Sequence, residues 1–181
     1  MRLIWLFPVL AVLHFSFEVL ASGEPSFQGK RRPFTVVSPP YPAPVVSWHT
    51  KKSGVTHIGR HKGKVVLLNF WASWCAACLY EMPDLDKLAN HIGHADFEVV
   101  TVNLDDAGPS LIARYFERLG VSRLPHYSDP SDRSVIAYEI REGLPWSFLI
   151  DRKGFIRGYM MGAAEWLTPE GQSLITHYLD E

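Results

Sequence analysis

The chain has 181 residues, 47% of them hydrophobic, and a net charge of −1. That is enough apolar content for one sizeable core with a short appendage, and it lacks the charge excess that marks a nucleic-acid binder. Two cysteines, Cys75 and Cys78, exclude a multi-disulfide scaffold, and a bridge across so short a step closes too small a loop to stabilise a fold, so the pair reads as chemical.

Residues 1–21 hold one basic residue, an apolar run from Leu3 to Phe17 and small side chains around Ala21, the pattern of an export signal. An uncleaved anchor is the competing reading. Against it, His14, Ser16 and Glu18 interrupt the run, and the basic cluster Lys30-Arg31-Arg32 would fall on the exported side. That cluster lies among prolines and reads as solvated linker rather than a nucleic-acid footprint. Residues 22–44 carry Pro25, Pro33, Pro39, Pro40, Pro42 and Pro44 with little periodicity, which predicts an extended tether. The folded domain is expected over residues 45–181.

Within it, Val45, Val46 and Trp48 predict a short strand, and residues 57–63 a polar loop. Val65 to Trp71 is apolar except for Asn69 and predicts a central strand buried on both faces. Leu79, Met82, Leu85, Ala89 and Ile92 then recur at helical spacing, so Cys75 and Cys78 fall where a helix begins. Free N–H groups and the positive dipole end at such a place ease deprotonation of a thiol. Cys75 is therefore expected to be the nucleophile, and Cys78, one turn further in, the resolving thiol.

Phe97 to Val102 predicts another buried strand, and Leu111, Ile112, Tyr115, Phe116 and Leu119 a helix stopped by Gly120. Leu124 to Tyr127 suggests a short strand and Val135 to Ile140 a short helix. Ser147 to Asp151 and Phe155 to Met161, joined by a turn at residues 152–154, predict an antiparallel hairpin. Thr168 as N-cap, Pro169 at the first helical position, and Leu174, Ile175, Tyr178 and Leu179 predict a closing helix. The sum is an α/β sandwich with a mixed central sheet flanked by helices.

Asn69-Phe-Trp-Ala-Ser-Trp-Cys-Ala-Ala-Cys, then Glu81-Met-Pro83, and later Gly143-Leu-Pro145-Trp-Ser-Phe-Leu-Ile-Asp151, resemble the thioredoxin superfamily, and within it the exported TlpA-like thiol-disulfide reductases related to the cytochrome c maturation thioredoxins. Two separated motifs agreeing in order and spacing make the signal specific. The resemblance implies a thioredoxin-like three-layer sandwich over about residues 45–181. It also implies a cis bond before Pro145 beside the dithiol, with Leu144 offering backbone hydrogen bonds to a visiting segment. Glu81 would be a partly buried acid–base partner of the resolving thiol, where position alone gives a solvated helix residue. Pro83 is expected inside the helix.

Asn69 stands where cytoplasmic thioredoxins have a buried aspartate. Ala76 and Ala77 neither stiffen the loop nor place a cation beside the thiolate, which leans toward a reductant. Trp74, directly before Cys75, is expected either to shield the dithiol or to border the substrate surface. Trp146 either crowds the groove or offers a partner an aromatic contact, while Phe70, Trp71, Met160, Met161 and Trp166 read as core and rim.

Other chemistries are weaker. Cys75, Cys78, His91 and His94 nearly match a zinc-finger spacing, but a helix from Cys78 to His91 would span ~20 Å, too far for one metal shell. No P-x-x-x-[ST]-x-x-C segment precedes either cysteine, against a thiol peroxidase. The expected function is reduction of partner-protein disulfides through a mixed disulfide, in the periplasm or otherwise outside the cytoplasm, with no cofactor and with electrons from a membrane thiol donor. An oxidase or isomerase of the same fold is the alternative.

Overall fold

A computed structural model describes residue 23 and residues 25–92, 95–106 and 108–181. The segment expected to be a signal or anchor lies outside them, apart from which no described helix is long and apolar enough to cross a membrane. Among the described residues the chain runs β1 (Thr35–Pro42), β2 (Trp48–Thr50), β3 (Val55–Thr56), a 3₁₀ turn (Ile58–His61), β4 (Val65–Trp71), α1 (Ala76–His91), β5 (Phe97–Asn103), α2 (Pro109–Leu119), β6 (Tyr127–Ser128), α3 (Arg133–Ala137), β7 (Trp146–Ile150), β8 (Phe155–Met161) and α4 (Pro169–Asp180).

The eight strands form one sheet in the order β1-β8-β7-β4-β5-β6-β2-β3. β4 lies inside it, parallel to β5 and antiparallel to β7, and every one of its residues is buried, as a strand covered on both faces requires. Side chains alternate across the sheet and divide the core. On one face Leu67, Trp71, Leu149 and both cysteines pack with Met82, Leu85, Phe116, Leu174 and Tyr178 from α1, α2 and α4. On the other, Leu68, Phe70, Trp146, Phe148 and Ile150 pack with Trp48, Ile58 and Tyr138.

The expected mixed sheet between helices is present. α2 ends at Gly120, whose positive φ of 69° is the left-handed conformation that glycine adopts at low cost. Thr168 caps α4 by accepting the Gly171 N–H, with Pro169 in the first turn. Two expectations need correction. The stretch taken as a tether is ordered onto the domain: β1 pairs along β8, and Phe27 is buried. Proline is tolerated there because β1 is an edge strand, where a missing N–H breaks no interior ladder. The loop at residues 57–63 holds the 3₁₀ turn, with Ile58 and His61 buried.

Candidate active site

β4 ends at Trp71, and residues 72–75 turn the chain into α1. Three bonds fix that turn: the Cys75 N–H donates to the Ala72 carbonyl, the Leu104 N–H to the Trp71 carbonyl, and the Ser73 N–H to the Asp105 carboxylate. Cys75 is the N-cap of α1, and its sulfur accepts the Cys78 N–H at 3.1 Å. Cys75 and Cys78 are joined by a disulfide, with Cα atoms 5.3 Å apart. Cys78 is fully buried and Cys75 nearly so, whereas Trp74 beside them is 71% exposed.

The Leu144–Pro145 bond is cis. Phe70 pairs with Trp146, so Pro145 sits just beyond the last paired residue of β7, level with the end of β4 from which the cysteine turn departs. Pro145 is buried and its carbonyl accepts the Gly162 N–H at 2.8 Å. Leu144 is partly buried against both halves of the core.

Glu81, one turn after Cys78, is 1% exposed, so it is no solvated helix residue. Its Oε1 accepts from Asn69 Nδ2 at 2.7 Å and its Oε2 from the Ala164 N–H at 3.0 Å. Burial pushes its pKa up to about 8, against the pull of these two bonds, which favour the charged form. A carboxyl poised near neutrality beside a dithiol can take or give a proton within the working pH range. Asn69 Nδ2 also donates to Ser147 Oγ at 3.0 Å, while Asn69 Oδ1 is buried with no partner among the described residues.

Trp146 is not brought to the dithiol. Its side chain leaves β7 on the face opposite Ser147 and Leu149, stacks on Tyr159 and Phe148, and donates its indole N–H to the Arg141 carbonyl at 2.8 Å. Strand alternation decides this: a residue next to Pro145 in sequence faces the second core, yet the exposed margin of Trp146 still lines a small cleft with Gly143 and Leu144 at the cis-proline loop. The zinc-like set is also divided, since Cys78 and His91 occupy opposite ends of α1, and His94 lies outside the described residues.

Sequence reasoning missed Ser147 and Ala164. Ser147 could have been suspected as the one polar side chain in the run Trp146–Ile150, directly opposite Asn69. Ala164 contributes only its backbone N–H, which no residue type announces.

A strand-to-helix dithiol beside a cis-proline loop, on a mixed sheet between helices, defines a thioredoxin-like protein. The chain belongs to the AhpC/TSA family, whose model matches residues 41–159. It is 33% identical over 102 residues to the thiol-disulfide oxidoreductase ResA of Geobacillus kaustophilus, covering 56% of this chain and 57% of that protein. It is 30% identical over 118 residues to the thiol:disulfide interchange protein DsbE of Allochromatium vinosum, covering 64% and 62%. Among solved structures, the exposed lipoprotein thioredoxin Etrx1 of Streptococcus pneumoniae matches with a TM-score of 0.60 at 25% identity, over 76% of this chain and 100% of that one. The chain thus spans somewhat more than half the length of these curated relatives. The superfamily membership expected from the two motifs holds.

Proposed function

We propose that this chain is an exported thiol-disulfide oxidoreductase that reduces disulfides in partner proteins through Cys75 and Cys78. The observation that carries the reading is the seat of Cys75 at the N-cap of α1, with its sulfur accepting the Cys78 N–H. Negative charge on that sulfur is stabilised by free amide groups and the helix dipole. The names of the ResA and DsbE relatives support the same chemistry.

In the reduced protein the Cys75 thiolate attacks one sulfur of the partner's disulfide. That bond breaks, a Cys75–partner bond forms, and the displaced partner sulfur leaves as a thiolate that takes up a proton. Trp74, Leu144 and Pro145 border the place where the partner lies. Glu81 accepts the Cys78 proton, Cys78 attacks Cys75 Sγ, and the partner's second thiolate departs. Two electrons have passed to the partner, and the Cys75–Cys78 disulfide remains. A thiol donor, supplied in the membrane, returns the site to the dithiol, and no cofactor takes part.

Cys75→Ser should abolish reduction of insulin disulfides, and Cys78→Ser should accumulate mixed disulfides visible on non-reducing gels. Retained turnover in Cys75→Ser would overturn the assignment. With only Ala76 and Ala77 between the cysteines, no cation adjoins the thiolate from within the loop, which favours a reductant. A redox titration should therefore give a potential near that of thioredoxin, about −270 mV, and a value near the strong oxidants, about −120 mV, would reverse the direction.

A further inference from the structure

The basic run Lys30-Arg31-Arg32 is solvated, as expected, but it is not linker. It forms the tip of a tight hairpin over residues 27–34, in which Gln28 pairs with Pro33, the Gly29 N–H donates to the Arg32 carbonyl at 2.9 Å, and the Phe34 N–H to the Phe27 carbonyl at 2.8 Å. The hairpin is moored beside the dithiol site. Phe27 is 4% exposed with its ring 4.9 Å from Trp166, and the Lys30 N–H donates to the Ala163 carbonyl, next to the Ala164 amide that holds Glu81.

Two of the three cations are matched. Lys30 pairs with Glu165 and lies over the Tyr80 ring of α1, and Arg32 pairs with Glu142 at 2.7 Å. Arg31 is exposed and has no ion pair among the described residues. Its stem lies along Gly162, so close that a β-carbon there would come within 3.2 Å of Arg31 Cδ. Gly162 is the residue whose N–H is held by the Pro145 carbonyl. Arg31, Glu142, Gly143, Leu144, Trp146 and Gly162 are among the residues that line one small cleft at the cis-proline loop, where the Glu142 carboxylate is already taken by Arg32. One cation without an ion pair among the described residues thus lies beside Leu144, where the proposed mechanism seats the partner.

We propose that Arg31 is a specificity-determining residue that selects partner disulfides flanked by acidic side chains. The inference rests on the proposed reductase reading and adds the charge class of its substrate. An acidic residue beside the partner's cysteine would meet the guanidinium, whereas a basic one would be repelled.

The test uses full-length protein, pre-reduced and freed of reductant, in single-turnover reactions. The substrates are two peptides of equal length with one internal disulfide each, flanked by Asp and Glu in one and by Lys in the other, together with uncharged 2-hydroxyethyl disulfide. Wild type should react faster with the acidic peptide by about two- to fivefold, a preference that fades at 1 M salt. Arg31→Glu should invert the preference, Arg31→Lys should keep it, and none of the three proteins should differ on the uncharged disulfide. Equal rates on both peptides in wild type, or a preference unmoved in Arg31→Glu, would overturn the inference while turnover of the uncharged disulfide leaves the reductase reading intact. Failure of wild type on every disulfide would overturn the reductase reading itself and the inference with it.

Discussion

Glu81 carries a carboxyl into the core with two hydrogen-bond donors aimed at it, and burial outweighs those donors. The folded pKa is about 8 against an ordinary 4.5, so between these values the native state holds a proton that the unfolded chain has released. Stability conferred by the neutral carboxyl is full below about 4.5 and is lost as the pH rises through about 8. Glu81→Gln should remove that dependence. In urea titrations at pH 5, 7 and 9 the variant should gain on wild type with rising pH, by a few kcal/mol at the top of the range. The Asn69 amide can turn over to offer its unpartnered Oδ1 to the new NH₂ group. A difference that stays flat with pH would show that Glu81 is already ionised in the folded protein at pH 5. Trp146 teaches a different lesson at the same scale: adjacency to Pro145 in sequence turns its ring onto the second core, while its margin still lines the cleft at the cis-proline loop.

At the scale of elements, α1 is joined to the chain that follows α2 through the Asp86 carboxylate, with Asn90 Oδ1 beside it accepting from the Arg123 guanidinium. Asp86, buried on α1, accepts through Oδ1 the N–H groups of Ser122, Arg123 and Leu124 at 3.1, 2.7 and 3.2 Å. These amides lie past the Gly120 stop, outside the hydrogen-bond ladder of α2, and Asp86 supplies the acceptor that their burial requires. Asp86→Ala should cost about 2–4 kcal/mol, read as a lowered urea midpoint with little change in slope, because the amides lose a charged acceptor together. Asp86→Asn, which keeps an acceptor oxygen, should recover much of the loss. The hairpin over residues 27–34 and the edge strand β1 are joined to the domain in the same way, by contacts made far along the chain with Ala163, Trp166 and β8.

Across the whole molecule, the charge cluster around Glu98 contributes to acid stability, as does the buried Asp129 carboxyl, whose pKa is also held down. Glu98 on β5 accepts from Lys64 at 3.0 Å and lies 3.1 Å from His61, tying the sheet to the loop ahead of β4. The hydrogen bond from His61, helped by Lys64, holds the Glu98 pKa down at about 2 from 4.5, even though burial opposes it. A depressed carboxyl stabilises above its unfolded pKa, and that contribution is lost as the pH falls from about 4.5 through about 2. The partial exposure of Glu98 screens the cluster, so Glu98→Gln should cost roughly 1–2 kcal/mol at pH 7. The variant should also show a shallower fall in stability between pH 5 and 2, followed by circular dichroism.

Much of this architecture was legible in the residues alone. The all-apolar run Val65–Trp71 announced a strand covered on both faces, the spacing from Leu79 to Ile92 announced a helix, and their junction placed Cys75 and Cys78 at a helix start. Those features are written in neighbours a few residues apart, where steric period and helix-end polarity act locally. What only the tertiary structure decided was which polar groups are shut away together and which surface is left charged. Glu81 meets Ala164 across 83 positions of chain, Asn69 meets Ser147 across 78, and proline-rich residues 27–42 fold onto the domain instead of trailing from it. Such pairings depend on how strands register and which face each side chain takes, and local periodicity does not encode the distant partner that a buried polar group requires.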